Sequence, residues 1–80
     1  MKMRFGTGIV TMIERVEIYR MPRPGEKVEV FQLRRLLARG TVITVDAEIV
    51  SIADTRGLVD LDTYELRRGL RDGSVTICCY

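Results

Sequence analysis

Two clusters of arginine carry the clearest chemical potential in this chain of 80 residues: Arg34, Arg35 and Arg39, then Arg67, Arg68 and Arg71. The planar guanidinium fork matches phosphate oxygens, so these clusters could form a surface for phosphate, of a nucleic acid or of a phosphopantetheine carrier, although solvated surface charge is the simpler reading and a nucleic acid is not the expected partner. Aromatic interleaving, the usual companion of single-strand binding, is thin: Phe31 and Tyr64 are the candidates, and neither sits in a recognisable motif. If both segments are strands, consecutive arginines project to opposite faces and about half share one surface. The candidate ligand-binding set is Arg34, Arg35, Arg67, Arg68 and Tyr64.

Other chemistries have fewer residues behind them. Asp60 and Asp62 stand two apart, as do Asp46 and Glu48, so on a strand each pair shares a face and has oxygens for a hard cation. A solvated face, or pairing with Arg67 and Arg68, is the simpler reading of such charges. Cys78 and Cys79 are adjacent, and a closed zinc site would need ligands from other subunits. They read as incidental thiols in a reduced, cytoplasmic setting. The methionines, Met1, Met3, Met12 and Met21, read as gap-filling apolar residues. Histidine is absent, which removes the commonest general base near neutral pH and the commonest transition-metal ligand. No catalytic residue, metal or cofactor is expected.

Thirteen basic and eleven acidic residues give a net charge of +2, too small to imply a nucleic-acid or membrane partner by itself. No apolar run approaches the roughly 18 residues that cross a bilayer. Glu14 interrupts the apolar stretch that follows MKMRF, so the N-terminus reads as mature sequence. The length allows one domain, residues 1–80.

The elements that would hold these residues are mainly strands. Gly40 to Leu66 reads as two antiparallel strands joined by a turn at Asp54 to Gly57, with Ile43, Val45, Ala47 and Ile49 on the apolar face of the first. The second strand runs from Leu58 to about Arg67. Upstream, Met1 to Gly8 is irregular, Ile9 to Arg20 favours strand, and Met21 to Gly25 is a proline-glycine connector. Lys27 to Arg39 fits either an amphipathic helix capped by Gly40 or an extended strand, and strand is preferred. Arg71 to Ser74 is a turn, and Val75 to Cys79 adds an edge strand. The fold class is therefore mainly β, with α+β as the alternative: an antiparallel sheet of four to five strands without a clear central helix. Val16, Ile18, Ile43, Val45, Ala47 and Ile49 would then meet water, so a homo-oligomer, a dimer first, is expected to cover them.

The runs RVEIYRMPRPGEKVEV, RGTVITVDAEIVSIADTRGLV and YELRR resemble the C-terminal hotdog half of polyketide synthase dehydratase domains and, more loosely, MaoC-like hotdog hydratases. The likeness spans about Ile13 to Arg68. It implies a hotdog-like sheet, two-fold assembly and an acyl or polyketide-like ligand. In that family a central helix carries a catalytic aspartate opposite a histidine. Here only twelve residues precede Ile13 and no histidine exists, so neither dyad member has a counterpart. The expectation is a non-catalytic hotdog-like module acting through oligomerisation. Two alternatives stand beside it: a small β-barrel that binds nucleic acid through Arg34, Arg35, Arg67 and Arg68, and a partial dehydratase completed by a partner chain.

Overall fold

A computed structural model describes residues 15–80. The expectations for Met1 to Gly8, for the strand up to Glu14, and for Met1, Met3 and Met12 lie outside the described residues. The remainder is mainly β: β1 (Val16–Ile18), β2 (Lys27–Gln32), β3 (Arg35–Val45), β4 (Ile49–Asp54), β5 (Gly57–Asp62), one helix α1 (Thr63–Asp72) and β6 (Val75–Cys79). The strands form one six-stranded sheet in the order β1-β6-β2-β3-β4-β5, every neighbouring pair antiparallel. β2 to β5 are a meander, and α1 returns the chain so that β6 enters between β1 and β2. Val75 to Cys79 is thus an interior strand, where the sequence suggested an edge.

Each turn of the meander has its own chemistry. At Asp54 to Gly57 the Asp54 carboxylate accepts from the Arg39 amide (3.1 Å) and the Thr55 hydroxyl (3.1 Å), and Gly57 takes a φ of 121°. This turn and the Met21–Gly25 connector stand where the sequence placed them. The other two turns were not anticipated. Asp46 accepts from the amides of Glu48 (2.8 Å) and Ile49 (2.7 Å), which ends β3 and starts β4 inside a segment that reads as one long strand. Those amides hold the Asp46 carboxyl below its ordinary range. Between β2 and β3 only Leu33 and Arg34 intervene, at φ of 49° and 73°. A two-residue hairpin tip with both φ positive is a type I′ geometry, which favours Asn-Gly and costs other residues about 1–2 kcal/mol each. Lys27 to Arg39 is therefore extended, as preferred, yet it is a hairpin rather than a single strand.

The apolar face is built by Val28 and Val30 of β2, Ala38 and Val42 of β3, Val50 and Ile52 of β4 and Val75 and Ile77 of β6, all buried, with Leu66 of α1 against them. This is one residue out of step with the expected face. Ile43 is 47% exposed and Ile49 39%, Ala47 is exposed and Val45 half-buried. The cause is local: β3 carries a bulge in which Val42 pairs with Ile52 and Thr44 with Ser51, so Ile43 is the extra residue, and the Asp46 turn then resets the alternation. Upstream, Val16 is exposed and Ile18 half-buried.

α1 is the largest departure. Residues 63–67, read as the end of a strand, begin a helix whose N-cap is Asp62, accepting from the Glu65 amide (2.9 Å). The Thr63 amide donates to the Glu48 carbonyl (3.0 Å) and its hydroxyl to the Asp46 carbonyl (2.9 Å), docking the helix start on the β3–β4 turn. At the other end Gly73, at φ 88°, donates to the Gly69 carbonyl (2.9 Å). At Gly69 a Cβ would strike the Val75 side chain, so the missing side chain is what lets α1 lie close to β6. The helix lies over the core face within one chain, while Val16, Ile43, Ala47 and Ile49, four of the residues from which a dimer was inferred, remain exposed.

The second face of the sheet holds one buried charge. Glu29, 5% exposed, accepts from Arg15 Nε (2.7 Å) and Arg39 Nε (2.9 Å), and the Arg39 guanidinium lies 4.4 Å over the Tyr80 ring. Just before β2, Arg20 grips Glu26 through two bonds (3.1 and 2.6 Å) while the Arg23 amide donates to the same carboxylate (2.6 Å). The Arg20 bond first, then the Arg23 amide, lower the Glu26 carboxyl to about 2.

Two outcomes follow for stability. Ile52→Asp should abolish cooperative thermal unfolding, because burying a carboxylate costs several kcal/mol against a typical stability of about 5, whereas Ile43→Asp should fold with a midpoint close to wild type. The reverse ranking would mean the opposite strand register. For Glu26 the folded value lies below the ordinary 4.5, so its contribution is full above pH about 4.5 and is lost as pH falls toward 2. The midpoint difference between wild type and Glu26→Gln should shrink across that window in calorimetry; a constant difference would mean that Glu26 does not titrate this way.

Candidate anion-binding face

α1 changes the geometry of the second arginine cluster. On a strand Arg67 and Arg68 would part to opposite faces; on a helix Tyr64, Arg67, Arg68 and Arg71 fall at i, i+3, i+4 and i+7, one continuous stripe. The stripe lies opposite the buried residues Thr63, Leu66 and Gly69, so the register that packs the core turns the arginines outward. All four side chains are exposed, Tyr64 by 67%. Among the described residues none of these arginines forms an ion pair. Together the four line a small open depression of about 60 Å³.

Several nearby acids have structural roles. Asp62 caps the helix, and Asp60 accepts from the Ser51 hydroxyl (2.7 Å). Asp72 accepts from the Ser74 amide (2.8 Å), and Ser74, by its side chain first and then its amide, holds that carboxyl below the ordinary range, with Arg68 a lesser contributor. Of the two carboxylate pairs that sequence offered for a hard cation, Asp62 caps α1, Asp46 closes the β3–β4 turn and Asp60 bonds Ser51 on the neighbouring strand. Among the described residues no group of three or more Asp, Glu, Cys or His side chains gathers to hold a metal.

The first arginine cluster divides. Arg39 belongs to the Glu29 network on the sheet's second face. Arg34 and Arg35 stand at the β2–β3 tip, both exposed and outside any ion pair among the described residues. The Leu33 amide of that tip donates to the Ser74 carbonyl (2.9 Å), which ties the hairpin to the chain just past α1. Gln32 and Arg68 line one depression there. Of the candidates, Tyr64, Arg67 and Arg68 share the stripe on α1, joined by Arg71, while Arg34 and Arg35 stand apart on the tip beside the C-terminal end of the helix and Tyr64 stands in its first turn, at the β3–β4 turn.

No protein-family model, no curated protein and no solved structure matches this chain. The hotdog resemblance consequently rests on the quoted residues alone, and one of them, Tyr64 to Arg68, is helical where the resemblance implies a closing strand. Two further features bear on ligands. Leu37, Leu61, Leu66 and Val75, with Gln32, Asp62 and Glu65 at the rim, line an open depression of about 230 Å³ beside α1, below the roughly 300–1,000 Å³ of small-molecule pockets. A second of about 380 Å³, at Leu36, Arg39 and the Asp54–Arg56 turn, is largely polar and charged in its lining residues. Burial, then Glu17 and Glu29, push the Cys78 thiol up, and burial followed by Glu26 does the same to Cys79, so both are poor nucleophiles. Among the described residues no helix is long and apolar enough to cross a membrane.

Proposed function

We propose that this chain is a non-catalytic, cytoplasmic binding module that holds single-stranded nucleic acid on the exposed face of α1. The observation that supports the reading is the stripe of Tyr64, Arg67, Arg68 and Arg71, four exposed side chains at helical spacing with no ion pair among the described residues. Guanidinium groups neutralise the phosphates, and Tyr64 offers a flat surface to a base without demanding a sequence. Three arginines on one helix face repel one another, by about 0.2–0.5 kcal/mol per neighbouring pair. A bound phosphate relieves that repulsion, and Arg71 in the last turn gains from the helix dipole. An acyl or polyketide-like ligand has less in its favour, since the apolar depression beside α1 is small. The reading needs only one copy of the chain.

Fluorescence anisotropy of a labelled mixed-sequence 12-nucleotide strand, titrated at several salt concentrations, is the test. The three stripe arginines, at about 0.7 each, contribute about −2 to the slope of log K against log salt. Replacing Arg67, Arg68 and Arg71 together by alanine should make that slope shallower by about 2 while leaving the thermal midpoint nearly unchanged, as the three are exposed. Salt-independent binding, or a triple variant that binds as wild type does, would end the proposal.

A further inference from the structure

We infer that the β2–β3 tip is the part of this surface that meets the bases, with Leu33 held out as an apolar contact and Arg34 and Arg35 on phosphates beside it; this deepens the proposed nucleic-acid reading and rests on it. Three observations converge. The tip is built of Leu33 and Arg34 in the left-handed region, at φ of 49° and 73°, a geometry to which neither residue type is suited. Leu33 is 76% exposed, among the most exposed large apolar side chains of the described residues, so its presence there is not explained by packing. The tip is also not free to drift, because the Leu33 amide is bonded to the Ser74 carbonyl at 2.9 Å, immediately after the helix cap.

An exposed leucine on a strained turn contributes little to the fold, and asparagine would adopt the same backbone more readily. A contact role accounts for it. Apolar side chains pack on or between bases wherever a protein loosens their stacking, and here the leucine is flanked by two cationic forks that would hold the adjoining phosphates. The Leu33–Ser74 bond sets the tip just past the C-terminal end of α1, the end that carries Arg71.

The variant Leu33→Asn separates strain from function. It keeps every charge and supplies a residue that tolerates the left-handed turn. It should raise the thermal midpoint, weaken binding of the labelled 12-nucleotide strand about five-fold, leave the salt slope as in wild type, and leave affinity for inorganic polyphosphate, which has no bases, unaltered. Equal loss on both ligands, or no loss on either, would overturn the inference while leaving the arginine stripe standing. A fall in the thermal midpoint would overturn it too, since Leu33 would then be needed for folding. If wild type bound neither ligand, it is the phosphate-binding reading itself that would fail.

Discussion

Thr63 holds the molecule together at a point where three elements meet. Its amide and hydroxyl satisfy the carbonyls of Glu48 and Asp46, and it is 2% exposed, so the start of α1 is fixed against the turn between β3 and β4. A sheet with one apolar face must bury that face, and in a chain this short the candidates are a helix or a second copy. With its N-terminus docked by Thr63 and its far end stopped at Gly73, α1 has little freedom in where it crosses. Leu66 then falls on the core and Gly69 falls against Val75, where a side chain would not fit.

The same constraint shapes the surface. Once Thr63, Leu66 and Gly69 face inward, helical geometry leaves no choice about which residues face outward, and these are Tyr64, Arg67, Arg68 and Arg71. Several nearby acids have structural roles, Asp62 at the N-cap, Asp72 with Ser74 and Asp60 with Ser51, while Glu65 lies exposed beside Arg68. By contrast other arginines are consumed, Arg15 and Arg39 by the buried Glu29 on the second face and Arg20 by Glu26. A net charge of +2 conceals this division, since charge matters by where it is left uncompensated.

How much of this was legible in the sequence depended on whether the turns carried turn chemistry. Asp54 to Gly57 and Met21 to Gly25 have Asp, Gly and Pro where backbone geometry asks for them, and both were readable. Leu33-Arg34 has none of these, so the β2–β3 hairpin was hidden inside a segment whose extended character was otherwise plain. At Asp46 one aspartate did the work of a turn without a glycine, and the β-branched run around it masked the break. The helix, however, had its signals: Asp62 three residues before Glu65, Leu66 and Leu70 four apart, Gly73 just past the end. They were outweighed by the alternation of Val59 and Leu61 running into them. That one misreading also scattered the site, because it sent Arg67 and Arg68 to opposite faces.

The placement of α1 is the central claim, and nuclear magnetic resonance of the isotopically labelled chain tests it most directly. Residues 63–72 should give helical carbon shifts, amide contacts between each residue and the third beyond it, and contacts from the Leu66 methyls to Val75. Strand-like shifts through Arg67, with cross-strand contacts continuing from β5 in place of those to Val75, would contradict the account, because the core would lose its cover and the arginines their common face.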